Sequence, residues 1–118
     1  MKKMQYAKFA RPHEVRRFPK GKLELVKIGG GVVGRATFQP GWRWSEHVKP
    51  IAKTKSCIAP HFQYHLGGIL KVRMNDGSAR LFRAGDVSYL PSGHDAWVVG
   101  KRPVVVVDFH GMTNYAKR

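Results

Sequence analysis

The stretch HFQYHLGGILKVRMNDGSARLF, residues 61–82, decides the fold. It holds three short runs of β-branched, aromatic and aliphatic residues: FQYHL at 62–66, ILKVRM at 69–74 and SARLF at 78–82. Such runs bounded by turn residues read as strands. Asn75-Asp76-Gly77 separates the last two and tolerates the positive φ that a tight hairpin loop requires. Working outward, LELVKI at 23–28, VVGRATF at 32–38, VSYL at 87–90, AWVV at 96–99 and VVVVDF at 104–109 repeat the pattern. Many short strands with Gly, Pro and Asx between them predict an all-β sandwich or barrel. His13 to Phe18, bracketed by Pro12 and Pro19, is the one segment that reads as a short helical turn. The stretch His47 to Pro60, with two prolines and three lysines, reads as a long loop, and long loops in small domains are often functional.

The chain has 118 residues, 42% hydrophobic and 25% charged, which fits one folded domain and excludes wholesale disorder. A basic N-terminal segment (1–22, a strand or an arm) is expected to precede a barrel domain (23–110) and a C-terminal tail (111–118). No apolar run approaches the roughly 18–20 residues of a membrane span. The opening MKKMQYAKFARPHEVRRF lacks the apolar stretch of a secretory signal. The single cysteine, Cys57, excludes an internal disulfide framework and suits a reducing cytoplasm. A barrel of this size leaves sheet edges and an apolar face, so a homodimer is expected.

Twenty-two Lys and Arg oppose seven acids, a formal charge of +15. Charge of that sign attracts polyanions. It is spread along the whole chain, from Lys2 to Arg102, without a dense basic tract or a nucleic-acid motif. Nucleic-acid binding is therefore not the favoured reading, and an anionic small-molecule ligand is a modest inference.

Chemistry concentrates on the histidines His47, His61, His65, His94 and His110. Alternation along a strand puts His61, Gln63 and His65 on one face and Phe62, Tyr64 and Leu66 on the other. The apolar set is expected to enter the core, leaving His61, Gln63 and His65 to face solvent or a polar cavity. Imidazole is a common ligand for Zn, Fe, Cu and Ni, although a single histidine is more often merely hydrogen-bonded.

The segment GDVSYLPSGHDAW at 85–97, with GWRWSEH at 41–47 and YHLGGILKV at 64–72, resembles the cupin superfamily. More narrowly, it is similar to small single-domain bacterial cupins with a PPGHDAWVVG-type segment. The resemblance runs from about Leu23 to Phe109 and implies a double-stranded β-helix of jelly-roll type. In that family three histidines and a glutamate hold one metal inside the barrel. Gly41 precedes His47 by the family interval, so His47 takes the first histidine place. Lys49 occupies the second and has no lone pair to give. His61 stands where the glutamate belongs. Gly85, Pro91 and Gly93 match the second motif, but Ala96 fills its histidine place and His94 lies two residues earlier on the same face. The implied metal set is His47, His61 and His94, with His65 nearby. Losing the glutamate shifts preference toward Zn or Ni, with Fe or Mn as alternatives.

Around that set, Gln63, His65, Trp44 and Trp97 are the expected walls of a ligand pocket, although aromatics in small barrels are more often core. Glu46 and Asp95 each adjoin a ligand position, where an acid can orient an imidazole or act as general base. Asp86 is expected to fix the turn before a strand. Cys57, near Lys53 and Lys55, is placed where cations can lower a thiol pKa, but it reads first as a bystander thiol, one that reaches the second histidine place only if its loop folds back. The resulting expectation is a metal-binding barrel with an interior small-molecule pocket. If it is an enzyme, dioxygenase, isomerase and lyase are not distinguished, because fold does not imply function. A non-catalytic ligand-sensing module and a basic polyanion-binding protein are the alternatives.

Overall fold

The computed structural model describes residues 3–118. The elements are β1 (Glu14–Phe18), β2 (Gly21–Ile28), β3 (Gly31–Phe38), α1 (Trp44–His47), α2 (Lys49–Ala52), β4 (His61–Gly67), β5 (Ile69–Met74), β6 (Ala79–Phe82), β7 (Val87–Leu90), β8 (His94–Val99) and β9 (Val104–Asp108). Two antiparallel sheets result, one ordered β1-β2-β3-β9-β4-β7 and the other β6-β5-β8. Every strand-like run between residues 23 and 109 is a strand. The β5–β6 hairpin turns on Asn75–Gly77, with Gly77 at φ +91°, a conformation that favours glycine.

Residues 13–18 depart from the helical expectation. Pro12 and Pro19 leave too few residues between them for a stable helix. The segment instead pairs as β1 with β2, from Glu14 opposite Leu25 to Phe18 opposite Gly21.

The core lies between the sheets. Leu23, Ala36, Val104 and Val106 from the larger sheet are fully enclosed, facing Leu70, Val72 and Val98 from the smaller. On β4 the expected orientation is reversed. His61, Gln63 and His65 are buried, while Phe62, Tyr64 and Leu66 are exposed. Pairing with β9 and β7 sets which face points inward: His65 lies opposite the enclosed Val106, and Gln63 opposite the buried Ser88. Register outranks the strand's own hydropathy here.

Both ends of the chain are tied to this framework. The Gln5 carboxamide accepts the Gly29 N–H at 2.8 Å. The Arg35 guanidinium, paired with Glu24, sits 4.9 Å over the Phe9 ring, so the N-terminal segment lies across the outer face of β2 and β3. Arg16 donates to the carbonyls of Met112 (3.2 Å), Tyr115 (2.8 Å) and Thr113 (2.8 Å). That clamp holds a C-terminal segment whose Met112, Tyr115 and Ala116 are part of the core. Asp86 accepts the Arg83 N–H at 2.8 Å and fixes the turn before β7.

Candidate metal centre

His61, at the start of β4, points into the barrel and is backed by Asp108 at the end of β9. The two share a hydrogen bond of 2.5 Å between Nδ1 and Oδ2. Asp108 is fully buried, and its other oxygen accepts the backbone N–H groups of Phe62 (3.3 Å), His110 (2.8 Å) and Gly111 (3.1 Å). Burial by itself would raise its pKa. The His61 contact and the two backbone donors of His110 and Gly111 outweigh that and hold the carboxyl below the usual value. Gly111 is needed for this approach, because a Cβ there would lie 1.8 Å from the Pro60 carbonyl oxygen and 2.9 Å from His61 Nδ1.

Cys57 arrives from the long loop. After α1 and α2, Lys53 at φ +59° turns the chain back. Cys57 then pairs with the start of β8, its N–H donating to the His94 carbonyl at 2.8 Å and its carbonyl accepting the Gly93 N–H at 2.8 Å. This brings the buried Sγ to 3.7 Å from His61 Nε2. His94 completes the group, with its ring centroid 5.3 Å from that of His61. One ligand atom from each of Cys57, His61 and His94 lies within 4.8 Å of the others.

The hydrogen bonds present the correct nitrogens. His61 Nδ1 is engaged by a carboxylate, and His94 Nδ1 lies 2.9 Å from the Pro91 carbonyl, an acceptor that requires an N–H there. Each Nε2 thereby carries the lone pair, that of His61 turned to the Cys57 thiol, the arrangement by which outer groups fix metal-binding imidazoles. Burial pushes the His94 pKa down to about 4, so its ring is neutral near pH 7. Burial also pushes the Cys57 thiol up to about 12, aided by the charges of Asp95 and Asp108. Lys53 and Lys55 do not lower it. The free thiol keeps its proton, and only a cation in direct contact would displace it.

A void of about 20 Å³ adjoins the cluster, lined by Trp42, Gln63 and Tyr115 beside the three ligand candidates. That admits an ion or one water, not an organic substrate. The buried Nε1–H of Trp42 has no partner among the described residues. A larger cavity of about 440 Å³ lies outside the barrel, between the Val48–Pro60 loop and the C-terminal segment. Trp44, Cys57 and Tyr115 line both spaces.

The other expected site residues lie elsewhere. His47 is on α1, where its Nδ1 accepts the Arg43 N–H at 2.9 Å, and it is not part of the cluster. Glu46 is exposed. Asp95 and Trp97 alternate with the buried His94 and Ala96 along β8 and face away from the void. Asp95 accepts from Arg43 and from the Ser45 N–H, and Trp97 lies 4.2 Å beneath the Arg43 guanidinium. His65 is enclosed further along β4, bonded to Ser88 Oγ at 2.8 Å and stacked on Phe82. Sequence reasoning discounted Cys57 and missed Asp108. The available signal for Asp108 was its parity with Val104 and Val106, which puts it on their face of β9, a face only the structure shows to be the inner one.

No protein-family model matches the chain, and no curated protein matches its sequence. Solved structures do match. One is a Klebsiella pneumoniae protein with a double-stranded β-helix domain, at TM-score 0.59 and 17% identity, covering 96% of this chain and 94% of that one. Another is a cupin-like protein from Thermotoga maritima, at TM-score 0.56 and 15% identity, covering 82% and 73%. The chain has the cupin fold. An oxalate decarboxylase also aligns, at TM-score 0.51 and 22% identity, over 86% of this chain but 27% of the enzyme. At these identities the likeness establishes the fold and leaves the chemistry to the residues themselves. This cupin-fold chain combines its barrel with a buried Cys/His/His group able to hold a metal. None of its described helices is long and apolar enough to cross a membrane.

Proposed function

We propose that this protein binds one divalent ion on Cys57 Sγ, His61 Nε2 and His94 Nε2. The observation that carries the reading is the convergence of one ligand atom from each of the three residues, with both histidine Nδ1 positions already committed to acceptors. A thiolate and two imidazoles suit Zn best, with Ni next, and make the oxygen-preferring Mn a poor candidate. A single thiol kept as a metal ligand fits a reducing, cytoplasmic setting. Three protein ligands leave a fourth position for water or substrate.

The organic ligand would occupy the 440 Å³ cavity at the barrel mouth and reach the ion past Cys57 and Tyr115. Its lining includes Lys117 and His110 but no Asp or Glu, which favours a small polar or anionic molecule. When bound, the ion would supply Lewis-acid polarisation of a ligand oxygen. The narrow inner void favours a second reading, a binding or sensing module without turnover.

Elemental mass spectrometry of untagged protein tests the ion directly. About one Zn or Ni per chain is expected, falling to background in Cys57→Ala and His94→Ala. Cobalt loading should give an intense sulfur-to-metal absorption band that Cys57→Ala lacks. Protein that stays metal-free after incubation with each ion overturns the reading.

A further inference from the structure

We propose that the seam between β6 and β7 is a binding site for a small amphipathic carboxylate, an apolar chain or ring that ends in one carboxyl group. The two strands follow each other in the chain but lie in different sheets, β6 as the last strand of the smaller and β7 as the last of the larger. The turn of residues 83–86 joins them, and no strand pairing closes the barrel between them. The sheets part along this edge, and a cleft of about 720 Å³ opens there. It shares no lining residue with the cavity at the barrel mouth, and only Leu90 with the void beside the metal cluster. The inference is therefore independent of the metal reading.

The floor of the cleft suits an apolar body. Its buried residues are Val72, Ser88 and Leu90. Ser88 is the one polar side chain among these three, and its hydroxyl is already bonded to His65 Nε2 at 2.8 Å. Burial lowers the His65 pKa, so its ring is neutral near pH 7 and the pair adds no charge beneath the floor. Met74 and Phe82 continue the apolar wall on the side of the smaller sheet. The volume falls within the roughly 300–1,000 Å³ of small-molecule sites.

The rim supplies the charge. Arg80 stands two residues from Phe82 and opposite the buried Val72, so it belongs to the face of β6 that overhangs the cleft. It is exposed and makes no ion pair among the described residues. The one acid of the lining, Asp76, is already engaged: it accepts the Ser78 N–H at 2.9 Å and the Ser78 hydroxyl at 2.6 Å. A single unpaired guanidinium above an apolar trough matches a carboxylate, which it can hold through two parallel N–H groups. An inward-leaning cation on an edge strand can also serve only to repel other strands. The two roles differ in what a carboxylate does at this seam.

Titration of octanoate into the full-length chain, followed by methyl NMR, tests the proposal. Saturable shifts are expected at Val72, Met74 and Leu90, with Ile51 and Thr113 at the barrel mouth and Leu66 on the outer face of β4 unmoved. This arm needs no variant. Arg80→Gln should weaken octanoate about 10-fold, the share of one charge-assisted contact, while leaving the weaker binding of 1-octanol unchanged. Arg73→Gln removes the same charge from the exposed outer face of β5 and should alter neither. Absence of saturable shifts into the millimolar range overturns the proposal. So do shifts centred on the barrel mouth or the outer face of β4, and wild-type protein that binds 1-octanol as tightly as octanoate. Equal octanoate affinity in Arg80→Gln and wild type would leave Arg80 as an edge guard, and equal weakening by Arg80→Gln and Arg73→Gln would trace binding to the overall charge. Either result overturns the proposal as well.

Discussion

His61 and His65 sit four residues apart on the inner face of one strand, both buried, about 13 Å from each other along the chain. Their surroundings have little in common. His61 faces a second imidazole and a thiol, with a carboxylate behind it. His65 is packed on Phe82 and bonded to a serine hydroxyl, and among the described residues it belongs to no group of three His, Cys, Asp or Glu able to share an ion. The difference teaches that an inward imidazole becomes a ligand through what other elements bring to it. For His61 those elements are β9, the Val48–Pro60 loop and β8. For His65 they are β7 and β6.

The sharpest way to break this comparison is to remove each ring in turn. His61→Ala should abolish stoichiometric metal, while His65→Ala should retain it. Elemental analysis of the two variants, side by side, reads the contrast. Equal loss in both would put the ion elsewhere in the barrel.

Gly111→Ala probes the backbone that supports Asp108. The added methyl would collide with the Pro60 carbonyl and crowd His61 Nδ1. The expected cost is about 3 kcal/mol in denaturant unfolding, together with weaker metal retention. Unchanged stability would show that the 109–111 turn is looser than the contact implies.

Asp108→Asn acts more gently, leaving an acceptor oxygen beside His61 but removing its charge. Metal affinity should fall about 10- to 100-fold without loss of the fold, measured by competition with a chelator. The same affinity in both proteins would assign Asp108 to stability alone.

The smallest effect belongs to His65. Burial lowers its pKa, with the Asp86 charge opposing weakly. The folded state therefore binds its proton later than the unfolded chain. The stability it carries is intact above about pH 6.5 and is lost as pH falls from there through the lowered folded value. Unfolding of His65→Gln should depend less steeply on pH across that window than the wild type.

Much of the fold was legible beforehand. Turn chemistry at Asn75–Gly77 and the runs from Leu23 to Phe109 pointed to an all-β sandwich or barrel, because short-range backbone preferences suffice to place strands. The Gly85–Trp97 segment added the jelly-roll resemblance that the solved structures bear out at the level of fold. The parity of β4 was also readable: His61, Gln63 and His65 had to share a face.

What alternation could not supply was which face turned inward. The four valines at 104–107 gave β9 no hydropathy contrast, so the inward position of Asp108 was hidden by its neighbours. Only strand order and register put His61 beside Asp108 and left Phe62, Tyr64 and Leu66 outside. Cys57 is the clearest case. In sequence it sits among lysines in a loop, where a lowered thiol pKa was conceivable. In the folded chain the bridge to His94 carries it into the barrel, and burial raises that pKa instead. Local sequence determines strands and turns because those depend on near neighbours. The ligand set depends on contacts between residues as much as 47 positions apart, as His61 and Asp108 are, and those exist only once both sheets have closed.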